Sequence, residues 1–111
     1  MKIPENGCLL RIFIGESDRW QGQPLYEALV LKAREFHLAG ATVLRGPMGF
    51  GAKSRLHTAK ILRLSEDLPI VIEIVDAREK IESFISQVDQ MVTEGLVTME
   101  DVKVIKYRPG S

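Results

Sequence analysis

The sequence has a single cysteine, Cys8, which excludes an internal disulfide and a cysteine-rich zinc site. It has no net charge: Lys+Arg 15 and Asp+Glu 15 cancel, so no global field draws the chain to nucleic acid or to an anionic membrane. It also has no long apolar run. The longest, Ala28 to Leu31, falls far short of the roughly 20 residues of a membrane-spanning helix. Met1-Lys2 is followed by Pro4 and Glu5 rather than an apolar stretch, so no secretory signal is read and a cytoplasmic location is expected. Histidines number only 2, His37 and His57, which gives little metal-ligand density. No repeat of domain-building length and no low-complexity segment is evident.

What is present is ordinary for a globular chain: 111 residues, 45% hydrophobic and 27% charged, which excludes a disordered polymer and fits one domain over residues 1–111. Cys8 to Ile14 is rich in β-formers and ends at Gly15, which predicts a strand. Glu16 to Gly22 reads as a polar loop. Pro24 then opens a helix, carried by Leu25, Ala28, Leu29, Ala33 and Phe36 and stopped by Gly40, with His37 near its end where positive charge suits the dipole. Ala41 to Arg45 reads as a second strand, broken at Gly46-Pro47.

Leu68 to Asp76 is the strongest strand signal, and Asp76 is a candidate N-cap for the helix after it. In that helix Ile81, Phe84, Ile85, Val88, Met91 and Val92 recur at helical spacing, with Gly95 as the stop. Val102 to Tyr107 reads as the final strand. A strand extension around Thr58 to Leu64 is a weaker reading.

The order β-α-β, loop, β-α-β predicts an α+β, ferredoxin-like βαββαβ unit: a four-stranded antiparallel sheet with two helices on one face. Ile70, Ile72 and Ile74 then oppose Val71, Glu73 and Val75, and both sets are largely apolar, although only one can lie under the helices. Leu9 and Phe13 oppose Leu10, Ile12 and Ile14 in the same way. An uncovered apolar face implies self-association, hence a homo-oligomer.

Residues Arg45 to His57 hold the densest cluster of unusual residues. Gly46, Gly49 and Gly51 permit close backbone approach, and Arg45, Lys53, Arg55 and His57 add cationic or titratable groups, as an anion site requires. An irregular turn with solvated charges is the competing reading, and the residues leave both open. A P-loop is excluded, because Ala52 displaces Lys53-Ser54 by one position. A dinucleotide fingerprint is excluded too, because Ser54 stands where its third glycine belongs. Cys8 reads as a buried strand residue, Trp20 and Tyr26 as packing or interface residues, and Lys103, Lys106 and Arg108 as exposed edge charges.

Four segments together, Leu10 to Asp18, Gly40 to Gly46, Met48-Gly49-Phe50-Gly51 and Leu68 to Asp76, resemble the PII-like family known as domain of unknown function 190. Its wider superfamily is that of the nitrogen regulatory PII proteins. The resemblance implies a homotrimer with its sheets facing inward, ligand clefts between neighbouring subunits, and adenine nucleotides (AMP, ADP or ATP) as effectors rather than any catalytic cofactor. Arg45-Gly46 and Gly49-Phe50-Gly51, with Lys53 and His57 after them, resemble the base of the loop that responds to ligand. Lys106 and Arg108 resemble the basic pair that reaches nucleotide phosphates. As alternate residues of a strand they would converge on one anion.

Two departures stand out. The glycine-rich segment and phosphate-binding lysine that PII proteins carry before the last strand are replaced by the acidic Thr93 to Asp101, which weighs against a triphosphate. The loop also has no tyrosine to accept uridylylation.

The expectation is therefore a signalling regulator and not an enzyme. An anion at Lys53, Arg55, Lys106 and Arg108 would order the 46–67 loop, which controls a target protein or membrane transporter. Alternatives are a small enzyme using His57, a metal-tolerance trimer, and a structural trimer without ligand.

Overall fold

In the computed structural model, which describes residues 3, 5–47, 49 and 68–110, the alternating apolar residues at the start of the chain form strand β1, Asn6–Gly15. A short hairpin comes next, of β2 (Arg19–Trp20) and β3 (Gln23–Pro24), and leads into helix α1, Leu25–Glu35. Then come β4 (Thr42–Arg45), β5 (Pro69–Asp76), α2 (Arg78–Met91) and β6 (Leu96–Lys103). The main sheet has the order β4-β5-β1-β6 with every neighbour antiparallel, and both helices bury their apolar stripes against its central strands. This is the α+β, ferredoxin-like fold expected. Among the described residues, no helix is long and apolar enough to cross a membrane.

Leu10, Ile12 and Ile14 of β1 and Ile70, Ile72 and Ile74 of β5 form the floor of the core, each at most 6% exposed. Leu25, Ala28, Leu29 and Ala33 of α1 and Ile81, Phe84, Val88 and Met91 of α2 form its roof. Phe84 meets Phe36 edge-on, with centroids 5.5 Å apart and planes at 68°. Cys8 is wholly buried there, and that burial pushes its thiol pKa up. Trp20 and Tyr26 pack against the rim, as expected.

Several local expectations are corrected. The last strand is Leu96–Lys103 rather than 102–107, so Lys106 and Arg108 lie beyond it on irregular backbone and do not share a strand face. An edge strand with both faces exposed accepts Thr98, Glu100 and Asp101, and so lacks the apolar signature by which strands are read.

Helix α1 is stopped not by Gly40 but by His37, at φ 58°. The His37 N–H donates to Arg34 O (3.0 Å) and the Leu38 N–H to Ala33 O (3.1 Å), a Schellman pattern with Leu38 buried over Ala33. Asp76 ends β5 rather than capping α2, whose N-cap is Ala77. Helix α2 ends at Met91, and Gly95 instead opens β6 at φ 152°, where a Cβ would stand 2.6 Å from the Phe13 carbonyl oxygen. The expected 16–22 loop holds β2 and the turn of the β2–β3 hairpin, made by Gln21 (φ 49°) and Gly22 (φ 80°) as a mirror-image turn demands.

Candidate ligand cleft

The sheet face away from the helices carries three cross-strand rows. The strand register aligns Leu44, Val71, Phe13 and Leu96 in the first, with Leu44 48% and Leu96 57% exposed. Thr42, Glu73, Arg11 and Thr98 form the second, and Val75, Leu9 and Glu100 the third. A polar row thus lies across an otherwise largely apolar, uncovered surface.

In the polar row, Arg11 Nε donates to Glu73 Oε2 at 2.8 Å, and Arg11 Nη1 donates to Glu100 Oε1 at 2.7 Å. The Glu73 hydrogen bond is the main reason that the Arg11 guanidinium holds its proton even more firmly than usual. One arginine therefore links the central strand β1 to β5 on one side and to β6 on the other.

Where the second and third rows meet the chain after β6, a cleft of about 660 Å³ opens, within the size range of small-molecule sites. Leu9, Arg11, Glu73 and Val75 form its floor, the 39–42 connection forms one wall, and Val102 to Tyr107 form the other. Local hydrogen bonds hold both walls. The Val104 N–H donates to Glu5 O at 2.7 Å, and Tyr107 Oη donates to the Ala39 carbonyl at 3.3 Å, which draws the tail across the end of the sheet.

The Ala39 N–H in turn donates to Oδ2 of Asp76 at 2.9 Å, a carboxylate with 0% exposure. Lys80 Nζ stands 3.6 Å from the same oxygen and donates to the His37 carbonyl at 2.8 Å. Such a buried carboxylate persists because it is hydrogen-bonded and faces a cation, and in this position it fixes the wall of the cleft.

The structure sorts the sequence candidates into two places. Lys106 lines the cleft, and Arg108 stands two residues further along the same exposed tail. Arg45, Gly46 and Gly49 lie at the other end of β4. There Arg45 Nη2 pairs with Glu16 Oε2 at 2.5 Å, the Gly46 N–H donates to Pro69 O at 2.8 Å, and Gly49 lies against Pro69. The Glu16 N–H donates to Leu68 O at 2.8 Å, so both feet of the 46–67 segment are tied to the sheet. Phe50, Gly51, Lys53, Arg55 and His57, like the weaker strand reading at 58–64, lie outside the described residues.

Within one chain, then, the basic tail and the Arg45 cluster sit at opposite ends of β4 and do not converge. Sequence reasoning missed Leu9, Arg11, Ala39 to Thr42, Glu73 and Val75 as cleft residues. The one available signal was a charged pair, Arg11 and Glu73, each interrupting an apolar strand.

The chain matches the model of DUF190, described as "Uncharacterized ACR, COG1993", over residues 7–104. A UPF0166 protein of Aquifex aeolicus (strain VF5) is 41% identical over 97 residues, covering 87% of this chain and 91% of that protein. The UPF0166 protein MJ1524 of Methanocaldococcus jannaschii is 30% identical over 99 residues, covering 88% and 91%.

Among solved structures, CPII from Thiomonas intermedia K12, bound to ADP, AMP and acetate, superposes with a TM-score of 0.63 over 91% of this chain and 90% of that one, at 16% identity. CPII bound to ADP and bicarbonate gives the same TM-score, 0.63. At that identity the likeness shows a shared fold. The family match over nearly the whole chain goes further: this protein belongs to the DUF190 (UPF0166) family and has a PII-like fold.

Proposed function

We propose that the protein is a PII-like regulator that binds a small anionic ligand of the adenine-nucleotide class in the cleft and passes the bound state to a partner through the 46–67 segment. The observation that carries this reading is the cleft itself: an apolar floor of Leu9 and Val75, suited to a flat base, beside Arg11 and Lys106, suited to an oxyanion. The solved CPII complexes, which hold ADP with AMP or with bicarbonate on the same fold, support the ligand class.

Assembly as a homotrimer, sheets inward, accounts for the uncovered Leu44–Val71–Phe13–Leu96 row. It would also let the basic tail of one subunit, with Lys106 and Arg108, meet the loop of the next, whose sequence carries Lys53 and Arg55. Ligand then favours one arrangement of the segment between the feet at Gly46 and Leu68, and the partner, a target protein or membrane transporter, reads that arrangement.

Light scattering gives the assembly mass, expected at three times the 12.5 kDa chain. Calorimetry with AMP, ADP, ATP and cyclic dinucleotides, repeated on Lys106→Ala with Arg108→Ala, tests the site. Loss of heat in the double variant supports the reading; a monomer at micromolar concentration, or unchanged heats in the variant, overturns it.

A further inference from the structure

We infer that Arg11 is the residue of the cleft floor that recognises the ligand's oxyanion, and that Glu100 competes with the ligand for it. The inference rests on the reading of the cleft as a ligand site, and deepens it by naming the selecting group. Of the cations that line the cleft, Lys103 ends the edge strand β6 and is already 3.2 Å from Glu5, Lys106 belongs to the exposed tail, and Arg11 stands on the central strand β1.

Its guanidinium has five N–H donors in a planar fork. Nε is spent on Glu73 and Nη1 on Glu100, and the Nη2 group has no protein partner among the described residues. A central-strand arginine that lines a cleft with donors to spare has the geometry to grip a phosphate or carboxylate by two oxygens.

The two carboxylates on Arg11 are not equivalent. Glu73 lines the cleft and its side chain is 31% exposed, whereas Glu100 lies outside the lining and is 56% exposed. In the single chain the Arg11–Glu100 pair is the more exposed of the two, and half-exposed ion pairs contribute little, so it is the pair that yields to a ligand. Glu73 is the more sheltered partner and keeps Nε, which holds the fork in place. Oxyanion binding therefore exchanges the Arg11–Glu100 pair for an Arg11–ligand pair. It frees a carboxylate on the edge strand β6, on the same face as the uncovered apolar row.

The test compares AMP, adenosine and inorganic phosphate by calorimetry on the full chain and on Arg11→Gln, Arg11→Lys and Glu100→Gln. Loss of a charge-assisted contact predicts AMP affinity falling about tenfold or more in Arg11→Gln, with adenosine affinity unchanged. Arg11→Lys falls between, since it keeps the charge without the fork. Removing the competitor predicts AMP affinity rising about threefold in Glu100→Gln, an increase that shrinks as salt is added. Inorganic phosphate displaces AMP from the native chain but not from Arg11→Gln.

Native-like AMP binding by Arg11→Gln overturns the inference, as does an equal loss of AMP and adenosine, which would mark Arg11 as merely structural. Should Arg11→Gln fail to fold, Glu100→Gln decides: unchanged or weaker AMP binding overturns the proposal. A native chain that binds none of the three probes overturns the reading of the cleft itself, a result distinct from native binding that ignores Arg11.

Discussion

The two faces of the sheet are built from the same strands and differ by one step along the chain. Facing the helices, Leu10, Ile12, Ile14, Ile70, Ile72 and Ile74 are wholly or almost wholly buried and carry no polar group. Facing away, Leu9, Arg11, Phe13, Val71, Glu73 and Val75 are each half-buried and mix apolar residues with an ion pair. The first face is specified by packing, where a missing methylene is felt. The second is specified by what it leaves unfinished: spare hydrogen-bond donors, an uncovered apolar row and a cleft. The core and the proposed ligand site are thus separated by the alternation of the β-strand itself, and substitutions on one face should leave the other's property largely intact.

The largest effect belongs to the covered face. Phe84→Ala removes a ring with 0% exposure from beneath α2, and should cost about 3–5 kcal/mol in urea unfolding at fixed chain concentration. Asp76→Ala tests the support of the cleft wall. It strands the Ala39 N–H, at an expected cost of about 1–3 kcal/mol, and should also loosen the Tyr107 contact, read as faster hydrogen exchange around Ala39. Gly95→Ala drives a Cβ toward the Phe13 carbonyl from a backbone conformation that L side chains rarely adopt; a loss of about 1–3 kcal/mol is expected by the same measurement. If it proves neutral, the entry of β6 is softer than the register implies.

On the open face the expectation reverses. Leu44→Ser, at a position 48% exposed, should change the unfolding free energy of the separate chain by no more than about 0.5 kcal/mol, yet shift the assembly toward lower mass in light scattering. The smallest effect concerns Cys8. Burial raises its thiol pKa, so the folded chain favours the neutral thiol. Its contribution is complete below the unfolded thiol's value of about 8.5 and fades as pH rises above it. Alkylation by iodoacetamide at mildly alkaline pH should therefore be slow until the chain is unfolded.

The covered face was legible in the sequence because each of its strands and helices repeats an apolar residue at a fixed period, and burial enforces that period. Strand β6 was not, because it buries no apolar row under the helices: Thr98, Glu100 and Asp101 meet solvent, and the strand is held by its pairing with β1 and by the Arg78–Asp101 ion pair. The end of α1 was misread for a different reason. A left-handed residue is expected to be glycine, and Gly40 stood nearby, but the Schellman hydrogen bonds and the buried Leu38 compensate for placing His37 there.

The cleft was the least legible part. Most of its lining consists of residues such as Leu9, Ala41 and Val75, which carry no chemical signature and come together only through the sheet register and the folded-back tail. Of the candidate site residues that fall among the described residues, only Lys106 lines it, and its expected strand geometry was replaced by an exposed tail.

The junction at Glu16, Arg45, Gly46 and Leu68-Pro69 has a consequence for how such a chain can diversify. Hydrogen bonds and an ion pair clasp the departing and returning backbone side by side where the intervening stretch leaves and rejoins the frame. Doubling the length of an insert held at such a clasp costs only about 0.6 kcal/mol in closure entropy. The frame can therefore carry inserts of very different size and composition, and one scaffold can acquire new recognition specificities by exchanging a single cassette.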